Sequence, residues 1–206
     1  MSYRAVLFDI GGVVVGSPLH AIAAYERERA IEAGFVNRVV LTAGAAGAWS
    51  RLERGELTLE DFYPAFERDC EAAGGRISAR ELMGRVAAST IPRPAMLEAI
   101  RRIRARGLLA AAVTNNWITD DGGTSVLRGE FDAFIESAML GLRKPDPRIF
   151  EIACETLQIT APEAVLLDDI GANLKSARAL GMTTIKVVDP DAALAELATV
   201  LGFPLG

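Results

Sequence analysis

The chain has 206 residues, of which 50% are hydrophobic and 24% are charged, and its formal net charge is −5. This balance excludes a wholly disordered chain, and the length suits one domain or one domain with an inserted lobe. Because the net charge is negative, the composition favours neither nucleic acid nor an anionic membrane as a partner. Two cysteines and one histidine are too few for a disulfide framework and disfavour a zinc site. Any chemistry is therefore expected to depend on carboxylates, amides, hydroxyls and lysine.

The first predicted element is a short, buried parallel strand. The apolar run from Ala5 to Phe8 ends abruptly at Asp9, and Gly11 and Gly12 follow soon after. The run is too short for the core of a signal peptide and far too short to span a bilayer. We therefore expect a cytoplasmic protein with no membrane-spanning segment.

Helical patterns replace strands over residues 16–90. Four helices are predicted there, at 18–33, 38–54, 58–73 and 78–89. Thr58 is the expected N-cap of the third helix, and Asp61 stands at the acidic position of a capping box. The apolar triplet 39–41 is also compatible with a strand. We interpret this region as a helical-bundle cap inserted between the first two strands of the core.

Residues 1–15 and 91–206 are predicted to form that core, in which strands alternate with helices. Apolar runs predict further strands at 108–113, 131–135, 165–167 and 183–188, and helical spacing predicts helices at 94–106, 147–157, 172–180 and 191–201. A strand followed by a helix and another strand is the unit of a parallel sheet with helices on both faces. The predicted fold class is therefore α/β, with a doubly wound, Rossmann-like parallel sheet.

Polar residues follow the ends of three predicted strands. They are Asp9 after the first strand, Thr114 and Asn115 after the second, and Asp168 and Asp169 after a later one. Because the carboxyl ends of parallel strands meet at one edge of a sheet, we expect these side chains to lie close together. Lys144, in a loop before a helix, is expected to reach the same edge.

This set of residue types suits phosphoryl transfer. A carboxylate such as that of Asp9 can act as a nucleophile. Carboxylates and a substrate phosphate together hold Mg²⁺, which shields their negative charges from each other. Lys144 would neutralise phosphate oxygens, and Thr114 would donate a hydrogen bond to them. Each residue also has a structural reading, since aspartate, threonine and asparagine are common in turns and at helix starts.

Four ordered motifs resemble those of the haloacid dehalogenase-like (HAD) hydrolases. They are Phe8–Val13 (FDIGGV), Val113–Asn115 (VTN), Gly141–Asp146 (GLRKPD) and Leu166–Leu174 (LLDDIGANL). The last motif, continuing through Leu180–Met182, looks especially like the N-terminal phosphatase domain of soluble epoxide hydrolases and the related domain of acyl-CoA dehydrogenase fusion proteins. Residues 49–62 look like the helical cap of the same subfamilies. The resemblance covers nearly the whole chain and implies a HAD core with an inserted cap.

The resemblance implies a role for each residue that matches a motif position. Asp9 is implied as the nucleophile, Lys144 as the group that stabilises both Asp9 and phosphate, and Thr114 and Asn115 as phosphate-binding residues. Asp9, Asp169 and the main-chain carbonyl of Gly11 are implied as Mg²⁺ ligands, with Asp168 and Asn173 close behind them. The implied function is a Mg²⁺-dependent phosphomonoesterase that acts on a small organic phosphate through an aspartyl-phosphate.

Position 11 departs from the usual pattern of the family. HAD phosphatases usually carry a second aspartate there, which protonates the leaving oxygen and later activates water, whereas this chain has Gly11. General acid–base help is typically worth ~10²–10⁴-fold in rate. The candidates for a substitute group are Asp168, His20, Asp120 and Asp121.

Two other functions stay open on the sequence. A 2-haloacid dehalogenase also uses an aspartate nucleophile, lacks the second aspartate and needs no metal, but such enzymes resemble Asp-x-Tyr-Gly-Thr at the first motif. A weak or inactive domain with a binding or regulatory role is compatible with Gly11, although the presence of Asp9, Lys144 and Asp169 together argues against it. The sequence leaves the identity of the substrate and the oligomeric state open.

Overall fold

The computed structural model describes residues 3–119 and 122–205. Its centre is a parallel sheet of five strands in the order β3-β2-β1-β4-β5. The strands are β1 (Ala5–Phe8), β2 (Leu109–Thr114), β3 (Ala133–Glu136), β4 (Ala164–Asp168) and β5 (Thr183–Lys186). The predicted α/β fold with a parallel sheet is confirmed, and each strand overlaps the apolar run that predicts it.

Five helices between β1 and β2 pack around an apolar cluster of their own. They are α1 (Pro18–Glu28), α2 (Phe35–Ala43), α3 (Ala48–Glu53), α4 (Leu59–Ala72) and α5 (Ala79–Ala88). Tyr25, Phe62 and Phe66 fill this cluster and are buried. A sixth helix, α6 (Pro94–Ala105), leads back to the sheet. We call α1–α5 the helical lobe; the division of the chain into a core and a cap domain stays a prediction.

The remaining helices follow the later strands. They are the single turn α7 (Ser137–Leu140), α8 (Pro147–Leu157), α9 (Gly171–Ala179) and α10 (Pro190–Leu201). Alternate residues of β1 point to opposite faces of the sheet, so Val6 and Phe8 pack on the side of α6 and α10, whereas Ala5 and Leu7 pack on the side of α8 and α9. Because both faces are covered, all of β1 is buried, which explains its unbroken apolar run. None of the helices in the described residues is both long and apolar enough to cross a bilayer.

One predicted helix, at 38–54, is wrong. The chain forms α2 and α3 there, separated by one helical turn at Gly44–Ala46. Gly44 has a φ of 58°, a left-handed value that ends α2, and Gly47 enters α3 from an extended conformation. The triplet 39–41, which a strand would also suit, lies inside α2.

The start of α4 follows the predicted N-cap. The Thr58 hydroxyl accepts a hydrogen bond from the Asp61 N–H at 3.1 Å and donates one to the Asp61 carboxylate at 2.7 Å. The Asp61 carboxylate therefore accepts a hydrogen bond from the Thr58 hydroxyl, whereas in a full capping box it would accept one from the main-chain N–H of Thr58.

Candidate active site

The sheet brings two strand-end carboxylates to the same edge. Phe8 of β1 is level with Leu167 of β4, so Asp9, just after β1, and Asp168, the last residue of β4, lie side by side at this edge. The Asp9 N–H donates to the Leu167 carbonyl at 2.9 Å, which extends the strand pairing up to the site. The Asp9 carboxylate also accepts a hydrogen bond from the Ile10 N–H at 2.7 Å, and this contact fixes its direction.

The ammonium group of Lys144 joins these two carboxylates. Its Nζ lies 2.8 Å from Asp9 Oδ1 and 2.7 Å from Asp168 Oδ2, and the side chain is 1% exposed. Burial by itself lowers the pKa of Lys144, but the two carboxylates outweigh burial and the resulting pKa is raised. Lys144 is therefore a stable positive charge between Asp9 and Asp168.

Asp168 is fixed from several sides. It is fully buried, and besides Lys144 its carboxylate accepts hydrogen bonds from the Ile170 N–H at 2.8 Å and from Asn173 Nδ2 at 3.0 Å. Asn173 is itself buried, in the first turn of α9. With both of its oxygens engaged in this way, Asp168 is placed to orient the ammonium group of Lys144.

Asp169 completes a cluster of three carboxylates. One oxygen from each of Asp9, Asp168 and Asp169 lies within 4.8 Å of the other two. Burial raises the pKa of Asp9 to about 7, with Lys144 opposing the shift and Asp168 adding to it. Burial, and then Asp168, raise the pKa of Asp169 to about 6. The cluster holds more negative charge than one lysine compensates, and a divalent cation would relieve this excess.

Gly12 makes room for Asp169. Its φ is 82°, in the left-handed region that favours glycine, and a Cβ built on it would lie 2.2 Å from Asp169 Oδ2. Gly11 is different, because its φ of −67° suits any residue and a Cβ there would meet the Pro18 ring at 3.1 Å. Gly12 is therefore needed to leave space for Asp169, whereas a side chain at position 11 is restricted only by the ring of Pro18.

The end of β2 supplies Thr114 and Asn115. Thr114 is buried and lines a cavity that also reaches Gly11. Asn115 Nδ2 donates to the Lys144 carbonyl at 3.0 Å, and the Lys144 N–H donates to Asn115 Oδ1 at 2.8 Å. Asn115 thus holds the main chain that carries Lys144, while its predicted contact with phosphate stays a prediction.

The cavity at this edge of the sheet has a volume of about 690 Å³. Thr114 and Asn115 form part of its wall, and residues of α3, α4 and α5 form much of the rest. Trp49 of α3 meets Trp117, in the loop after β2, edge to face, with ring centroids 6.4 Å apart. The two rings therefore connect the helical lobe to the edge of the sheet.

Sequence reasoning missed Glu53 and Arg143. Glu53 of α3 lines the cavity, accepts a hydrogen bond from Trp49 Nε1 at 3.0 Å and forms an ion pair with Arg143 Nε at 2.5 Å. Arg143 also donates to Ser50 Oγ at 3.0 Å, so it ties the loop of Lys144 to α3. The pKa of Glu53 is raised overall, because the effect of burial is larger than the opposing effect of the Arg143 charge. Both residues lie in segments that resemble the family, 49–62 and 141–146, but their pairing could not be predicted because the two segments are far apart along the chain.

Two of the four candidates for a substitute acid lie in the described part of the chain. The Asp168 carboxylate contacts Lys144, and His20 is exposed on α1 and is not among the residues that line the cavity. Asp120 and Asp121 lie outside the described residues.

The fold and the site define a doubly wound α/β enzyme with a centre made of carboxylates and one lysine. The model of the haloacid dehalogenase-like hydrolase family matches residues 3–181. The chain therefore belongs to this family of hydrolases, as its four motifs indicate.

Sequence similarity to curated relatives extends over nearly the whole chain. Acyl-CoA dehydrogenase family member 10 of Mus musculus is 39% identical over an aligned length of 209 residues, and the alignment covers 99% of this chain and 20% of that protein. Bifunctional epoxide hydrolase 2 of Sus scrofa is 35% identical over 100% of this chain and 40% of that protein. The chain thus spans less than half of either relative. A sesquiterpene phosphatase of Aspergillus oryzae is 25% identical over 98% of each chain.

Solved structures share the fold. A HAD-family enzyme of Bacteroides thetaiotaomicron, in complex with magnesium and inorganic phosphate, matches with a TM-score of 0.64 and 20% identity over 90% of this chain and 94% of that one. A HAD-like family hydrolase of Porphyromonas gingivalis matches with a TM-score of 0.67 and 18% identity over 98% of each chain. At these identities the likeness shows the fold alone.

Proposed function

We propose that the protein is a Mg²⁺-dependent phosphomonoesterase that hydrolyses a small organic phosphate through an aspartyl-phosphate on Asp9. The observation that carries the proposal is the setting of Asp9, whose carboxylate is paired with Lys144 and lies beside Asp168 and Asp169. Gly11, two positions further on, lines the open cavity. The similarity to a sesquiterpene phosphatase, over nearly the whole length of both chains, supports the same chemistry.

The donor set fits Mg²⁺. Asp9, Asp169 and the Gly11 carbonyl would hold the ion, because Mg²⁺ prefers oxygen ligands and is usually bound by one or two carboxylates together with substrate phosphate. The bound ion supplies positive charge that reduces the repulsion between Asp9 and the phosphate. Asp168 and Asn173 would stand behind this set and keep Lys144 in place.

Asp9 would act as the nucleophile. One carboxylate oxygen forms a bond to phosphorus while the bond from phosphorus to the ester oxygen breaks, and water then cleaves the aspartyl-phosphate to give inorganic phosphate and free Asp9. Lys144 and Thr114 would stabilise the charge on the phosphoryl oxygens. Because Gly11 has no carboxyl, the departing oxygen has no side-chain proton donor at position 11. Esters with acidic leaving groups are therefore expected to react fastest.

Phosphate release from p-nitrophenyl phosphate and a panel of metabolite phosphates, with Mg²⁺ or with EDTA, tests this function. We expect release that depends on Mg²⁺ and is lost in Asp9→Asn. The control is Asp191→Asn, which removes an exposed carboxylate at the start of α10 and should keep the activity.

Three results would contradict the proposal. Release that persists in Asp9→Asn would exclude Asp9 as the nucleophile. A protein that binds Mg²⁺ but cleaves no ester would favour the binding or regulatory role. Halide release from a 2-haloacid, without any release of phosphate, would favour the dehalogenase.

A further inference from the structure

The residues after Asp9 form a single wide turn, Ile10–Val14, which carries the Gly11 carbonyl proposed as a Mg²⁺ ligand. Gly11 and Gly12 stand side by side in this turn, and Gly12 has a φ of 82° and a ψ of −17°. Glycine adopts many backbone conformations at little cost. A turn with two adjacent glycines therefore needs contacts from elsewhere in the chain to keep a single conformation.

Arg93 supplies such contacts from the point where the chain returns from the helical lobe to the core. Its Nη1 donates to the Gly12 carbonyl at 2.6 Å and to the Val13 carbonyl at 2.8 Å. Its main-chain N–H donates to the Val14 carbonyl at 2.9 Å. Arg93 thus binds three successive carbonyls of the turn, and hydrogen bonds from a charged donor, like the two from its side chain, are roughly twice as strong as neutral ones.

These contacts fix the peptide planes on both sides of Gly12. Because a peptide unit is planar, the Gly11 carbonyl and the Gly12 N–H turn together, and this N–H donates to the Gly16 carbonyl at 3.1 Å. The next plane contains the Gly12 carbonyl, which Arg93 binds. Since both planes are held, Gly12 keeps the left-handed conformation that leaves room for Asp169, and the direction of the Gly11 carbonyl is set.

The helix α6 does not account for an arginine at position 93. Arg93 is the N-cap residue of α6, but its side chain makes no capping hydrogen bond. Serine, threonine, aspartate and asparagine are the preferred N-cap residues. A positive charge is unfavourable at the N-terminus of a helix, where the helix dipole is itself positive. The contacts of the Arg93 side chain with the turn are therefore the reason for arginine at this position.

The charge of Arg93, taken alone, acts against a metal ion at this edge of the sheet. Burial, and then Asp168, raise the pKa of Asp169, while Lys144 and, to a smaller extent, Arg93 oppose the rise, so the guanidinium is close enough to act on this carboxylate. A positive charge at such a distance repels a bound cation. Any benefit of Arg93 to Mg²⁺ binding must therefore come from the turn that it holds, and the two effects have opposite signs.

We propose that Arg93 is a positioning residue for Mg²⁺, which holds the carbonyls of Gly12 and Val13 so that the Gly11 carbonyl and the Asp169 carboxylate keep their places in one ligand set. This inference rests on the proposed function, because it concerns the same metal site. Arg93 itself contacts neither the ion nor the substrate in this role, and it adds no step to the reaction.

Titration calorimetry with Mg²⁺ and the full chain, without substrate, tests the role of Arg93. We expect Arg93→Met to raise the Kd for Mg²⁺ about 10- to 100-fold, the usual effect of removing a group that orients a metal ligand. Arg93→Lys keeps the charge and a donor for the carbonyls, so its Kd should lie between those of Arg93→Met and the wild type.

The matched control is Arg104→Met. Arg104 lies about 17 Å further along α6, since a helix rises 1.5 Å per residue. It also donates to a main-chain carbonyl, that of Glu130, at 3.2 Å, and it pairs with Asp132. Its loss removes contacts of the same kind at a distance from the carboxylate cluster, so the Kd for Mg²⁺ should stay at the wild-type value.

Two further measurements separate positioning from folding. Urea denaturation reports the stability of each variant, whereas the Kd describes the folded protein alone. In rate assays, the Mg²⁺ concentration that gives half-maximal activity should rise in Arg93→Met, while KM for p-nitrophenyl phosphate at saturating Mg²⁺ should change little. If Arg93→Met does not fold, Arg93→Gln takes its place, because it is also uncharged.

The outcomes separate this inference from the proposed function. A Kd for Mg²⁺ that is unchanged or lower in the uncharged variant would overturn the inference and leave the phosphatase intact, since a lower Kd is what loss of the charge alone predicts. An equal rise of the Kd in Arg93→Met and Arg104→Met would also overturn it. If the protein binds Mg²⁺ but cleaves no ester, the function fails and calorimetry still decides the inference. If the wild type binds no Mg²⁺, both fail.

Discussion

At the scale of single residues, a comparison of Gly12 with Gly34 distinguishes the effect of backbone strain from the effect of packing at the site. Gly12 has a φ of 82° and Gly34 one of 79°, but a Cβ at Gly34 has nothing within 4 Å, whereas at Gly12 it would lie 2.2 Å from Asp169. We expect Gly34→Ala to lower the free energy of unfolding by about 1–2 kcal/mol, the cost of a left-handed residue with a Cβ, and Gly12→Ala to lower it by more, because Asp169 must also move. Only Gly12→Ala should also lose Mg²⁺ affinity, as measured by titration calorimetry. Equal Mg²⁺ affinity in the two variants would show that Asp169 does not need this space.

Gly11 presents a different restriction. Its backbone accepts any residue, but an added Cβ would lie 3.1 Å from Pro18, so Gly11→Asp alone is expected to place its carboxyl poorly. With Pro18→Ala added, kcat for an alkyl phosphate should rise by about 10²-fold, the lower end of general-acid catalysis. kcat for p-nitrophenyl phosphate should change little, because its leaving group needs no proton. An equal change in kcat for both esters, or a rise in Pro18→Ala alone, would count against a missing acid.

The sequence predicts which side chains come together at the candidate site better than it predicts their individual contacts. Asp9, Asp168 and Asp169 could be singled out because they stand where an unbroken apolar run ends, and the register of β1 and β4 brings them together. The contacts of Asn115 with the main chain of Lys144 could not be predicted, because they depend on a loop that the pattern leaves undefined.

At the scale of elements, strands are predictable here and breaks within helices are less so. A parallel strand buried on both faces needs an unbroken apolar run, and β1, β2 and β4 all show one. The helical period continues from α2 into α3, so the pattern predicts one helix. The break is decided by the backbone of Gly44, a conformation that the apolar spacing does not encode.

The ion pair between α3 and the loop of Lys144 gives a pH-dependent prediction. Burial holds the pKa of Glu53 above its ordinary value of 4.5, so stability that is present below that value is lost as the pH rises through the raised pKa. Arg143→Met removes the charge that opposes this shift. We expect its free energy of unfolding, relative to wild type, to fall as the pH rises above 4.5, approaching the cost of an unpaired buried charge, about 3 kcal/mol. Urea denaturation across this range measures it.

A second variant identifies the group responsible for that pH dependence. Adding Glu53→Gln to Arg143→Met replaces the buried carboxylate by a neutral amide. The difference in free energy of unfolding between this double variant and wild type should vary much less with pH, because only the titration of Glu53 in the wild type then contributes to it. If the double variant keeps the full pH dependence of Arg143→Met, the carboxylate of Glu53 is not its source.

At the scale of the whole molecule, Lys144 is where β1, β4 and the loop before α8 meet. Its ammonium group contacts Asp9 and Asp168, and its main chain is held by Asn115. Lys144→Met keeps much of the volume but leaves buried carboxylates without a cation, so we expect the free energy of unfolding to fall by about 3–5 kcal/mol. Lys175→Met, which changes an exposed lysine on α9, should have little effect.

Lys144→Met also tests whether Mg²⁺ binds at the carboxylate cluster of Asp9, Asp168 and Asp169. Since a cation that binds the folded chain stabilises it by mass action, Mg²⁺ should raise the Tm of the wild type. In Lys144→Met the Mg²⁺ ion also replaces part of the missing positive charge beside Asp9 and Asp168, so the rise in Tm should be larger than in the wild type or in Lys175→Met. A rise that is equal in all three proteins would place the Mg²⁺ away from Asp9, and the charge balance around Lys144 would then be a matter of folding alone.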